Sequence, residues 1–315
     1  MLVENIKNDF MPISLKDWQW VQTYLEKSDY EESNHNIVNM MLWLKEYPLF
    51  VKEEEHYLLL LGIHEGQLFV YMPLAEEGYL REALLDARQI FDFYGVPFCL
   101  SCYTKEVMDF VLEVFSDLSA VEERSAADYV YEADKLRTFS GKKLQKKRNH
   151  INGFLKEYEG RWTYEKINSE NVGECLEFLE NWRSDDPDDF LQSERMGVEK
   201  ILHLVDVLPY KGGLIRIDGK VKAFAIGSLL TKRMAQENIE KADSSIRGLY
   251  PMILKEWLGH EYPGVELLNR EDDTGRDNLR YAKMSLHPLY LIKKYRIKRS
   301  DEDDSKSSFF TNGRN

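Results

Sequence analysis

Gly213-Leu-Ile-Arg-Ile217, then Asp218-Gly219, then Val221-Lys-Ala-Phe-Ala-Ile-Gly-Ser228 is the stretch that decides the fold. Asp-Gly between two apolar runs marks a tight hairpin, because both central residues of such a turn take positive φ. A further apolar run, Met234 to Ala242, follows, and helical periodicity then covers about Ile246 to Leu258. The order is strand, turn, strand, strand, helix. Strands that part just before a helix can hold a thioester, ester or phosphate against free backbone N–H groups and the positive helix end. Arg247 and Gly248 stand at that helix start.

On either side the grammar is similar. Towards the N-terminus, Ser14 and Asp17 have capping-box spacing ahead of the helical stripe Trp18, Val21, Tyr24 and Leu25. Tyr57–Ile63 and Gln67–Met72 read as a hairpin through His64-Glu65-Gly66. Helices are expected at 79–93 and 105–115, and strands at 98–103 and 129–131. Thr138–Tyr158 reads as one long helix. A strand (163–167), a helix (172–183), an acidic loop (184–189) and a helix (194–207) lead into the deciding stretch. After it come a strand at 265–269, a polar loop at 270–275, a helix near 276–284 and one last strand at 289–297. Alternating strands and helices indicate a layered α/β (α+β) protein.

The chain has 315 residues, enough for two domains of ordinary size. The expected division is 1–135, 136–299 and a disordered polar tail at 300–315. Its net charge of −13 argues against a surface that binds polyanions everywhere, and leaves room for one local basic site. That site is the cluster Lys142, Lys143, Lys146, Lys147 and Arg148, followed by His150; tRNA phosphates or another polyanion are the candidate partner and a solvated helix face the other reading. Three cysteines make no disulfide framework, so a reducing cytoplasm is expected. No run approaches the roughly 20 apolar residues of a membrane span. Cys99-Leu-Ser-Cys102 has zinc half-site spacing, but Cys175 is the one other cysteine, so no metal site is expected.

Asn238-Ile-Glu240-Lys241-Ala-Asp243, Leu268-Asn269-Arg270-Glu271-Asp272-Asp-Thr-Gly275 and Leu279-Arg280-Tyr-Ala-Lys283-Met-Ser285-Leu-His287-Pro288 carry a family resemblance. So do Gly141-Lys-Lys-Leu-Gln-Lys-Lys-Arg148 and Leu191-Gln-Ser-Glu194, placed ahead of a helix. With these motifs the sequence resembles the C-terminal domain of phosphatidylglycerol lysyltransferases, in its soluble stand-alone form without the membrane-embedded half, over about Trp43 to Tyr295. The resemblance implies two tandem GNAT-like acyltransferase folds, each a mixed, mostly antiparallel sheet flanked by helices. It also implies kinship with enzymes that move an aminoacyl group from aminoacyl-tRNA to a lipid or peptidoglycan-precursor amine or hydroxyl, and for this chain a small-molecule or peptide acceptor is expected. Two features depart from the pattern: a histidine is common where Asn238 stands, and the acetyl-CoA loop is reduced to Arg247-Gly248.

Glu240 is the candidate proton acceptor, since a carboxylate desolvated among apolar neighbours has a raised pKa; Asn238 shares its strand. Asn269, Arg270, Glu271 and Asp272 follow a strand end, where α/β folds place ligand groups. Arg270 could hold a phosphate or carboxylate through two bonds. Arg280 and Lys283 share a helix face, and Arg247, Glu194 and Ser285 complete the candidate substrate set. His287 precedes Pro288 and is expected extended and structural. Three readings remain open: aminoacyl transfer from tRNA, acyl transfer from acyl-CoA, and ligand binding without chemistry.

Overall fold

The computed structural model describes residues 2–182 and 189–301. Ser14 caps the first turns as expected, its side chain and that of Asp17 each taking a backbone bond of the other. Helix α1 (Leu2–Asp9) and strand β1 (Met11–Pro12) precede α2 (Trp18–Ser28) and α3 (Ile37–Trp43). Then come β2 (Leu49–Glu54), β3 (Tyr57–His64), β4 (Gln67–Val70), β5 (Leu74–Ala75), α4 (Leu80–Tyr94), β6 (Leu100–Tyr103), α5 (Lys105–Val114) and β7 (Leu118–Glu122). The strand β2 has no counterpart in the sequence reading, nor has β7.

The second half begins at β8 (Asp128–Glu132), followed by α6 (Ala133–Thr138) and α7 (Gln145–Glu157). Of the single long helix expected at 138–158, only 145–157 is α7; Thr138 ends α6 and 139–144 are not helical. Phe139 (φ 49°) and Gly141 (φ 89°) are left-handed, and a helix cannot run through them. β9 (Trp162–Lys166), α8 (Val172–Asn181) and α9 (Asp189–Leu202) follow. Glu194 therefore lies inside α9, not ahead of it. The expected acidic loop falls, apart from Asp189, outside the described residues, as does the expected disordered tail beyond Asp301.

The deciding stretch forms β10 (Tyr210–Ile217), β11 (Lys220–Leu229), β12 (Met234–Ala242) and α10 (Leu249–Glu261). Asp218 (φ 49°) and Gly219 (φ 77°) make the expected turn. Then come β13 (Leu267–Asn269), α11 (Asp277–Met284), β14 (Tyr290–Ile292) and β15 (Tyr295–Arg299). His287 is left-handed (φ 56°), not extended; its N–H closes the last turn of α11 on the Met284 carbonyl at 3.0 Å.

The first sheet runs β1-β2-β3-β4-β6-β15-β7, with β5 on β3; the second runs β14-β8-β13-β12-β11-β10-β9. The expected division at 135/136 does not follow the sheets. β8, expected to end the first half, pairs with β13 and β14 of the second sheet. The single last strand expected at 289–297 is two strands, and the later one enters the first sheet between β6 and β7. Tyr295 pairs with Glu122, the Glu123 N–H reaches the Lys294 carbonyl at 2.9 Å, and Ile292 pairs with Asp128. The segments 118–132 and 290–299 thus form one antiparallel ribbon that crosses from sheet to sheet.

At the crossing lies a buried polar knot. Lys294, 0% exposed, donates to Asp128 (2.7 Å), Ser33 (2.9 Å) and Asn34 (2.7 Å). Asp128 also accepts from the Ser33 N–H (2.6 Å) and from Asn269 (3.0 Å). Burial pulls the Lys294 pKa down, but Asp128, Cys102 and Glu32 outweigh it and hold the ammonium above its usual range. Cys102 is buried in the core that also takes Cys175, and Cys99 is partly buried beside it.

α10 starts at Gly248 (φ 90°), where a Cβ would lie 2.3 Å from the His150 carbonyl oxygen of α7. Both the φ and the space call for glycine. Gly248→Ala is expected to cost about 1–3 kcal/mol, read as a lower urea midpoint with an unchanged slope; a wild-type midpoint would show that α7 and α10 do not pack this closely.

Candidate active site

β12 and β13 pair in parallel through just three positions, Met234↔Leu267, Ala235↔Leu268 and Gln236↔Asn269. Beyond Asn269 the chain turns away, while β12 continues to Ala242 along β11. The expected parting of the strands is therefore present, and from Glu237 onward one edge of β12 borders a cleft of about 370 Å³.

A bulge shapes that edge. Ile226 pairs with Ile239 but Gly227 with Glu237, so Asn238 is the inserted residue. In a regular strand, residues three apart point to opposite faces. The extra residue turns the strand, so that Glu237 and Glu240 meet on one side. Both grip Arg270: Nε donates to Glu237 Oε2 and Nη2 to Glu240 Oε2. The side chains of Arg270, Glu237 and Glu240 are 10%, 4% and 12% exposed. Burial disfavours the Arg270 charge, but the two carboxylates outweigh it and raise its pKa. Burial, then the Glu237 charge, push the Glu240 carboxyl up to about 8; Arg270 and Lys147 pull the other way.

Asn238 bonds on a different side. Its Oδ1 accepts from Ser228 (2.8 Å) and its Nδ2 donates to Glu271 (3.3 Å), which also takes Gln236 Nε2 (2.7 Å). Burial pushes the Glu271 carboxyl up to about 8 as well, and burial also raises Asp272. Asn269, fully buried, takes the Glu271 N–H on Oδ1 (2.7 Å) and donates to Asp128 and the Glu31 carbonyl. It shapes the loop.

The helix face of Arg280 and Lys283 is not a shared anion site. Arg280 reaches Asp273 through two bonds, 2.9 and 3.1 Å, and Asp273 also takes Tyr129 (2.6 Å). Lys283 donates to the carbonyls of Arg270 (2.6 Å) and Asp272, and burial lowers its pKa. Ser285 donates to the Ala282 carbonyl (2.6 Å). Of the candidate substrate set, Glu194, Arg270, Glu271, Asp272 and Lys283 line the cleft; Arg247, Asn269, Arg280 and Ser285 do not.

Arg247 is exposed on the turn before α10. Asp243 takes the N–H (3.1 Å) and hydroxyl (2.5 Å) of Ser245 there. Burial raises the Asp243 pKa, but those bonds and Lys222 outweigh it and hold the carboxylate below its usual range. A fixed anion already occupies this turn.

The basic cluster divides by direction. Lys142, Lys143 and Lys146 are exposed, the first two on the rim of a second cavity of about 340 Å³. Arg148 holds the Phe139 carbonyl (2.6 Å) and the Gly141 carbonyl (3.1 Å). Lys147 turns inward, where burial and then Arg270 lower its pKa and Glu240 opposes them.

Aromatic groups form the remaining wall. Phe190 stacks on Trp43 (5.3 Å) and under the Arg276 guanidinium (4.7 Å). Lys241 pairs with Glu194 and lies 4.1 Å over the Trp182 ring. Glu237, Trp43, Phe190 and Trp182 were missed by the sequence reading. For Glu237 the available signal was its three-residue spacing from Glu240, which points away from the cleft unless a bulge is assumed.

The family model described as phosphatidylglycerol lysyltransferase, C-terminal, matches residues 26–298. An uncharacterized protein of Mycoplasmoides gallisepticum is 33% identical over 185 residues, 58% of this chain and 59% of that protein. The match thus spans less than two thirds of that relative's length. The crystal structure of a conserved protein of unknown function from Bacteroides thetaiotaomicron VPI-5482 superposes with a TM-score of 0.87 at 28% identity, over 92% of this chain and 99% of that one. L-PGS from Bacillus licheniformis superposes with a TM-score of 0.67 at 14% identity, over 90% and 92%. At that identity the likeness is one of fold, two mixed sheets flanked by helices. Among the described residues no helix is long and apolar enough to cross a membrane.

Proposed function

The chain belongs to the phosphatidylglycerol lysyltransferase C-terminal family, and from that premise we propose that it transfers an aminoacyl group from aminoacyl-tRNA to an amine or hydroxyl acceptor. Family and GNAT-like fold support an acyltransferase. One observation carries the finer reading: an open strand edge with the Glu240 carboxyl, at about 8, held against Arg270 in the cleft.

The acceptor nitrogen or oxygen attacks the ester carbonyl, forming the new bond to carbon. Glu240 takes the acceptor's proton as that bond forms. N–H groups on the open edge of β12 face the oxyanion, a contribution worth about 3–4 kcal/mol per donor in comparable sites. The ester C–O bond then breaks, and the proton on Glu240 passes to the departing ribose oxygen. Asn238 holds Glu271 and takes no proton. The anion already seated at Asp243 disfavours a CoA diphosphate on the turn before α10 and so supports a tRNA donor.

The test is to incubate the protein with charged tRNAs and candidate amines and to follow loss of the ester. Transfer above background is expected; none with any charged tRNA, together with thermal stabilisation by acyl-CoA, would move the reading to CoA. On this reading Lys142, Lys143 and Lys146 meet the phosphate backbone. The triple alanine variant should lower the slope of log affinity against log salt by about 2–3, measured by filter binding; an unchanged slope places the RNA elsewhere.

A further inference from the structure

Glu237 is 6% exposed and lines the cleft, yet among the described residues its Oε1 has no hydrogen-bond partner. Its other oxygen is taken by Arg270. Thr274 Oγ1, from the loop 270–276, lines the same cleft and also lacks a partner among the described residues. A buried carboxylate oxygen left without a donor is costly in a folded protein. On a residue that lines a cleft, such an atom is an acceptor that a small turn of the side chain offers to a ligand's donor.

We propose that Glu237 Oε1 receives the free α-ammonium group of the acyl donor, and that the cleft thereby selects aminoacyl over plain or N-acylated acyl groups. The proposal rests on the aminoacyl-transfer reading above. In an α-aminoacyl ester one carbon separates the nitrogen from the carbonyl carbon. The bulge at Asn238 brings Glu237 and Glu240 to the same guanidinium. A nitrogen anchored on Glu237 therefore brings its carbonyl alongside Glu240. The arriving cation also favours the ionised form of Glu240, readying it as a base. An acyl group without this amine leaves the Glu237 oxygen unpaired, the condition under which sites discriminate most strongly.

The test uses bulk tRNA charged with mixed amino acids, one half acetylated on the α-amine. Wild type should transfer from the free-amine donors at least about 10²-fold faster, and Glu237→Gln should narrow that gap. Equal transfer from both overturns the role of Glu237 while leaving aminoacyl transfer standing. If neither donor turns over, transfer itself fails, and binding decides: L-amino-acid amides are compared calorimetrically with the matching carboxamides lacking the α-amine. Preference for the amine supports the proposal, and indifference overturns it. Should Glu237→Gln not fold, Glu237→Asp and the wild-type comparison serve in its place.

Discussion

Lys294→Met is expected to lower the unfolding free energy by about 3–5 kcal/mol, the usual cost of removing one partner from a buried ion pair. Lys294 and Asp128 are both 0% exposed, and their bond joins the two points where the chain changes sheets. Asp128 is the first residue of β8 and Lys294 the residue before β15. Methionine fills much of the lysine volume, so the loss is mainly one of charge and of three hydrogen bonds. The stranded carboxylate is the costly part. Lys294→Met with Asp128→Asn should therefore be less destabilised than the single variant, because the amide keeps its bonds to Ser33 and Asn269 without a buried charge. Guanidinium unfolding of both variants measures this. A single variant within about 0.5 kcal/mol of wild type, the range of ordinary surface substitutions, would mean that the ribbon is held by strand pairing and apolar packing alone.

This knot also marks the limit of what could be read in advance. The hairpin at Asp218-Gly219 was legible because turn chemistry is local. The end of β13 was legible because Asn269 closes a short apolar run directly before polar Arg270, but its pairing with β12 and the parting from it were not. Nothing local says that Leu118–Glu122 and Tyr295–Arg299 pair, since the partners lie more than 170 residues apart. Nor could spacing find the polar side of the cleft. Arg280 and Lys283 do share a helix, but Asp273 and two backbone carbonyls take up their donors. Cations beside their own acceptors look the same in sequence as cations awaiting a ligand. The bulge at Asn238 was hidden for a related reason: an inserted residue is defined by its partner strand. Yet it is the bulge that gathers Glu237, Glu240 and Arg270 into one charged group.

That grouping sets the largest functional effect. Glu240→Gln should reduce transfer about 10²–10⁴-fold, the range for loss of a positioned general base. The pH profile distinguishes this from a structural role. Burial and the Glu237 charge hold the Glu240 carboxyl protonated up to about 8. The wild-type rate should therefore climb as pH rises towards 8 and level above it, and the residual activity of the variant should lack that climb. Stability runs the other way. A carboxyl whose folded pKa is raised from 4.5 to about 8 binds its proton more tightly in the folded state. Its contribution is present at low pH and is lost as pH rises through that window. The neutral amide has no such dependence, so the variant should gain stability relative to wild type between pH 5 and 8. Reduced transfer from a variant that is no less stable at pH 8 assigns the loss to chemistry. Turnover within about threefold of wild type, or an unchanged rising limb, would remove Glu240 as the base and leave the open edge of β12 to act through its N–H groups alone.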